Sequence, residues 1–187
     1  PLQRGFDRYY GFLQGETDQF YPELTRDNTH IDPPSGPEDG YHVTADIIDQ
    51  SIGMIRDQKS LRPEQPFFLY CGFGATHAPH QAPPEYLAKY RGRFDAGWDA
   101  SREATFARQK ELGVVPPESE LAPRNPGVKA WTDLNDDERA FAARLQEAFA
   151  AFLDHTDAEI GRLVEFLREL GELENTLLIV LSDNGAS

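Results

Sequence analysis

Two short runs in this chain are apolar at every position, Phe67-Phe68-Leu69-Tyr70-Cys71 and Leu177-Leu178-Ile179-Val180-Leu181. The first is rich in aromatic residues and the second is partly β-branched. An unbroken apolar run of this length predicts a strand covered on both faces, because it leaves no side for water. That requirement constrains the fold more than any other feature. Burial on both faces calls for a sheet with neighbouring strands and with helices laid over it.

The helices are legible beside the strands. From Tyr41, the spacing of Val43, Ile47, Ile48, Ile52 and Ile55 predicts a helix with one apolar face. Asn135, followed three residues later by Glu138, has the form of a capping box. Asp136 and Asp137 favour the positive end of the same helix. Phe141, Leu145, Phe149, Phe152, Thr156, Ile160, Leu163, Leu167 and Leu170 then recur every three or four residues, and Gly171 fits the stop. The order is helix, strand, long excursion, helix, strand. Two buried strands joined through a helix predict an α/β fold with a mostly parallel sheet and a right-handed crossover.

The rest of the chain divides around this frame. Residues 1–40 are aromatic and turn-rich, with a hairpin expected over Pro22–Arg26 and Thr29–Asp32 around Asp27-Asn28. Residues 41–81 carry the first helix and strand. Residues 82–134 form an excursion, with a short helix around Arg102 to Leu112 and a proline-rich connection from Pro116 to Pro126. Residues 135–187 carry the long helix and second strand.

Ligands bind beyond the carboxyl ends of strands in such sheets, which directs attention to the loops after the two runs. Asp183 and Asn184 offer a carboxylate and an amide carbonyl, oxygen donors suited to Ca²⁺ or Mg²⁺. The same Asp-Asn-Gly sequence also makes a plain turn. His77, between Thr76 and Ala78-Pro79, is placed to donate to a leaving oxygen or to bind an anion; a loop histidine bonded to backbone is the other reading. His80 is a weaker candidate of the same kind. His30, His42 and His155 read as structural or solvated. Asp154, Asp157 and Glu159 read as a polar patch on the long helix, and Cys71 as a small core residue.

A net charge of -14 argues against nucleic acid as partner. It is compatible with an anionic substrate, since a bound cation reverses the local field. The single cysteine excludes an internal disulfide, and no apolar run reaches the length of a membrane-spanning helix.

Taken together, three stretches resemble the sulfatase family, in particular bacterial arylsulfatases: GFDRYYGFLQGETDQFYPEL, PFFLYCGFGATHAPHQAPPEY and HTDAEIGRLVEFLRELGELENTLLIVLSDNGAS. The intervening GWDASREATFARQKELGVVPP is similar to the same branch. The resemblance implies an alkaline-phosphatase-like α/β/α sandwich that hydrolyses small-molecule sulfate esters. It further implies a formylglycine nucleophile made from cysteine or serine, whose hydrate attacks sulfur, and a divalent cation, most often calcium. On this likeness Asp183 and Asn184 match metal ligands, and His77 matches the histidine that contacts sulfate and protonates the leaving oxygen.

The sequence departs from the family pattern in an informative way. The modification motif is Cys or Ser, any residue, Pro, any residue, Arg. Cys71 is followed by Gly-Phe-Gly-Ala, and Ser35-Gly36-Pro37 has Asp39 where arginine is required. Paired N-terminal aspartates, a lysine-tryptophan-histidine stretch and a late lysine are also absent. The expectation is therefore an internal segment of a catalytic domain, with the nucleophile upstream and the segment alone inactive. A phosphodiesterase or phosphonate hydrolase of the same superfamily, and a non-catalytic binding relative, stand as alternatives.

Overall fold

The computed structural model describes residues 1–182. Helix α1, Val43–Leu61, begins where the His42 side chain turns onto the backbone and its Nδ1 accepts from the Thr44 N–H at 3.2 Å. Val43, Ile47, Ile48 and Ile55 form its buried face, as their spacing predicts. After it come α2, Pro84–Lys89, α3, Gly97–Glu111, and the long α4, Asp136–Glu169. The expected capping box opens α4: Asn135 Oδ1 accepts from the Glu138 N–H, and Glu138 Oε2 accepts from the Asn135 N–H, both at 2.9 Å.

The C-terminal half of α4 packs along α1, with Leu163 and Leu167 against Ile48 and Ile55. Its N-terminal half departs from the predicted stripe. Phe141 and Leu145 are exposed, while Ala143, Glu147 and Ala151 are buried. The reason is α2, which lies on this half with Tyr86 and Leu87 against Ala151 and Phe152. Alanine lets the chain approach closely. The buried Glu147 carboxylate is tolerated because it accepts from the Gly92 N–H at 2.7 Å and from Arg144 at 2.8 Å.

Near the N-terminus three short antiparallel strands form a sheet: β1 (Tyr10–Gly11), β2 (Leu24–Arg26) and β3 (Thr29–Ile31). Arg26 faces Thr29 across the predicted Asp27-Asn28 turn, and Asp27 takes a φ of 57°, a conformation aspartate tolerates better than most residues. Leu24 joins Tyr41, Val43 and Ile47 in the core. The Tyr10 and Tyr41 hydroxyls donate to Asp46 Oδ2 at 2.5 and 3.0 Å, tying this sheet to α1.

The two apolar runs behave differently from the expectation of burial on both faces. Over 67–73 burial alternates: Phe67, Leu69, Cys71 and Phe73 pack on the α1–α4 core, whereas Phe68 and Tyr70 are 79% and 75% exposed. A period of two is strand-like, yet the run pairs with no strand among the described residues. Leu177–Leu181 is exposed throughout, from 45% to 86%. Burial of a second face needs a second cover, and within residues 1–182 the α1–α4 pair covers the first run from one side only. The sheet seen among the described residues is the small antiparallel one; the parallel sheet expected from the sequence is not among them.

Helix α3 starts earlier than the expected Arg102, and the cause is Gly97. Its φ of 83° suits glycine, and a Cβ there would lie 2.1 Å from Cδ2 of Trp131. The Trp131 and Trp98 rings meet edge-on at 5.0 Å, and Asp99 Oδ2 accepts from the Trp131 N–H at 2.9 Å.

Candidate functional site

The loop after the first apolar run is built against a distant turn. A Cβ on Gly74 would lie 2.8 Å from Nε2 of Gln19, so glycine permits the close approach. Gln81 then bridges the two segments. Its Oε1 accepts from the Gln19 N–H at 2.7 Å and its Nε2 donates to Asp18 Oδ2 at 2.8 Å. Burial acts to raise the Asp18 carboxyl, but hydrogen bonds from Gln81, Phe20 and Tyr21 outweigh it and hold the group below the usual carboxylate range. The Gln19 carbonyl accepts from the Val43 N–H at 2.9 Å, anchoring the same turn to the start of α1.

His77 stands on this loop with its own N–H donating to the Gly74 carbonyl at 2.9 Å. Its side chain is 55% exposed. Nδ1 lies 2.8 Å from the Ala78 carbonyl and 3.2 Å from Glu16 Oε2. Two acceptors at Nδ1 assign the proton to that nitrogen, and among the described residues Nε2 has no hydrogen-bond partner. Such a group can move a proton at Nε2.

The other histidines divide by burial. His30 is exposed on β3. His80 is half-buried, edge-on to Phe149 at 5.5 Å, and its Nε2 is buried without a partner. It lines a cleft of about 730 Å³ with Trp98, Phe106, Trp131 and Phe149. His42 and His155 are buried against each other, with ring centres 4.4 Å apart, and Phe20, Tyr86 and Phe152 close around them. Burial, with repulsion from His155 added, pushes the His42 imidazole down to about 4.

A histidine neutral in the fold to about 4, but taking its proton near 6.5 once unfolded, lets the unfolded chain bind protons more readily. Its contribution to stability is complete above about pH 6.5 and is lost as pH falls toward 4. The loss reaches at most about 3 kcal/mol. Thermal melts of the full-length protein between pH 7 and 4 should show it. His42→Asn, which keeps a capping acceptor, should flatten part of the slope; identical slopes in both proteins would contradict this.

Asp183 and Asn184 lie outside the described residues. Among the described residues, no group of three or more His, Cys, Asp and Glu is gathered to hold a metal. Asp154 pairs with Lys89 at 3.0 Å, and Glu159 with Arg162 at 2.5 Å. Burial pushes the Cys71 thiol up, and its Sγ is 3.4 Å from Ser51 Oγ, an environment unsuited to a nucleophile. Glu16 and Gln81 are contacts of this site that the sequence reading did not identify. Their partners are more than sixty positions away, and no local pattern marks them.

A family model described as Sulfatase matches residues 2–187. The chain is 36% identical to an uncharacterized sulfatase of Schizosaccharomyces pombe, the match covering 100% of this chain and 36% of that protein. It is 31% identical to an arylsulfatase of Klebsiella aerogenes, covering 100% of this chain and 41% of that one. It is 27% identical to an arylsulfatase of Clostridium perfringens, covering 84% and 29%. The chain thus spans about two fifths of the length of the first two relatives.

Proposed function

The chain belongs to the sulfatase family, and on that premise we propose that the full-length protein hydrolyses sulfate monoesters, with residues 1–187 supplying part of its active site. The observation that carries this reading is the family match, which runs through both candidate loops and almost the whole chain. The arylsulfatase names of two relatives support an aryl sulfate as substrate. We take the completed fold to be an alkaline-phosphatase-like α/β/α sandwich in which runs 67–71 and 177–181 join a mostly parallel sheet. The open faces of Phe68, Tyr70 and Leu177–Leu181 support this, because they are the apolar surface such a sheet and its second helical layer would cover.

Within this reading His77 is the proton donor. Protonated at Nε2, it gives that proton to the ester oxygen as the sulfur–oxygen bond breaks, while Nδ1–H stays held on the loop. Asp183 and Asn184 carry hard oxygen donors, a set that fits Ca²⁺, with Mg²⁺ as the alternative. Such a cation supplies positive charge toward the sulfate oxygens, which matters in a chain of net charge -14. The nucleophile is assigned outside residues 1–187 as a formylglycine, since neither Cys71 nor any serine has the required Pro and Arg after it. The aromatic cleft that His80 lines suits the apolar part of an ester. Release of sulfate from a chromogenic aryl sulfate by the full-length, metal-replete protein tests the proposal, and absence of release would overturn it.

A further inference from the structure

We propose that Glu16 is a positioning residue for His77, holding the imidazole by Nδ1 so that Nε2 faces the ester; the assignment rests on the reading of His77 as proton donor. Glu16 Oε2 lies 3.2 Å from Nδ1, at the end of the ring away from Nε2. The other acceptor at Nδ1 is the neutral carbonyl of Ala78, at 2.8 Å. The carbonyl is fixed by the backbone beside the ring, whereas the carboxylate reaches Nδ1 from the other segment and adds a charged acceptor on that side of the imidazole.

The placement of Glu16 is built into the fold rather than left to a free surface side chain. Two residues on, Asp18 takes the Gln81 amide at 2.8 Å. Three residues on, the Gln19 N–H donates to Gln81 at 2.7 Å, and its carbonyl holds Val43. Gln81 is itself four residues after His77. Gly74, three residues before His77, closes against the Gln19 side chain. The turn bearing the carboxylate and the loop bearing the imidazole are therefore clamped together on both sides of His77, through the two residues that follow Thr17. Both side chains remain more than half exposed, at 62% and 55%, so water moderates the charge effect.

The test uses the full-length enzyme with Glu16→Ala and Glu16→Gln. Glu16→Ala should lower kcat by about three- to tenfold on an aryl sulfate with a poor leaving group, with KM little changed. Glu16→Gln, which keeps an acceptor oxygen without charge, should recover part of kcat. Because proton donation matters most for basic leaving groups, the loss in Glu16→Ala should shrink on an activated nitrophenyl ester, a gradient that a purely structural role would not produce. Histidine-ring nitrogen NMR on the same proteins reads the pair without using activity: in Glu16→Ala the Nδ1–H tautomer of His77 should lose population. An unchanged tautomer would overturn the role of Glu16. A changed tautomer in a protein that releases no sulfate would uphold the pair and instead overturn the reading of the site.

Discussion

Replacing His77 by alanine in the full-length protein is expected to cut kcat by about 10²–10⁴-fold on a sulfate ester whose leaving oxygen is strongly basic. The size should depend on the leaving group. A phenol of low pKa departs as its anion with little help, so the same substitution should cost less on an activated nitrophenyl ester. That gradient separates proton donation from simple anion binding, which would lose a similar factor on every ester. The donor role is supported by the engagement of Nδ1, since among the described residues Nε2 has no hydrogen-bond partner. A uniform loss across leaving groups would count against it.

Asp183→Ala should lower turnover by about a thousandfold or more, with loss of the divalent cation proposed to bind there. As the proposed ligand, Asp183 would carry the formal negative charge that Asn184 lacks, so replacing Asp183 should cost more metal affinity than replacing Asn184. Asp183→Asn should weaken the metal affinity strongly, and excess cation should restore part of the rate. Metal content by mass spectrometry, measured beside turnover, checks the expectation. Full metal occupancy in Asp183→Ala with normal turnover would remove Asp183 from the cation site.

How much of this was legible in the sequence depends on how local the determinants are. The Asp27-Asn28 hairpin, the α1 face and the Asn135–Glu138 capping box all rest on residues within a few positions of each other, and all three are present. The N-terminal half of α4 misled because Phe141 and Leu145 continue the apolar period while the buried stripe is chosen by a partner, α2, from another part of the chain. The start of α3 was hidden because Gly97 is required by the Trp131 ring, thirty-four positions later. In the apolar runs, composition indicated what the segments are suited to, not what covers them; residues 1–182 cover one face of the first.

The candidate site divides the same way. His77 was visible as a histidine in a Gly- and Pro-bounded loop after an apolar run, and its role came from resemblance. Glu16, Asp18, Gln19 and Gln81 were not, because the turn and the loop they join are some sixty positions apart in the chain and meet only in the fold, through the Gln81 side chain and the anchoring of Gln19 on Val43. Side-chain amides and exposed carboxylates carry no periodic signature. Their significance depends on long-range contacts.

This chain belongs to the sulfatase family, and the hydrolysis of a sulfate ester by the full-length protein is the proposal to test. The most direct measurement compares kcat/KM of the full-length, metal-replete protein on matched aryl sulfate and aryl phosphate esters with the same leaving group. Clear turnover of the sulfate and a preference for it over the phosphate are expected. A preference for the phosphate, or no turnover of the sulfate, would contradict the proposal.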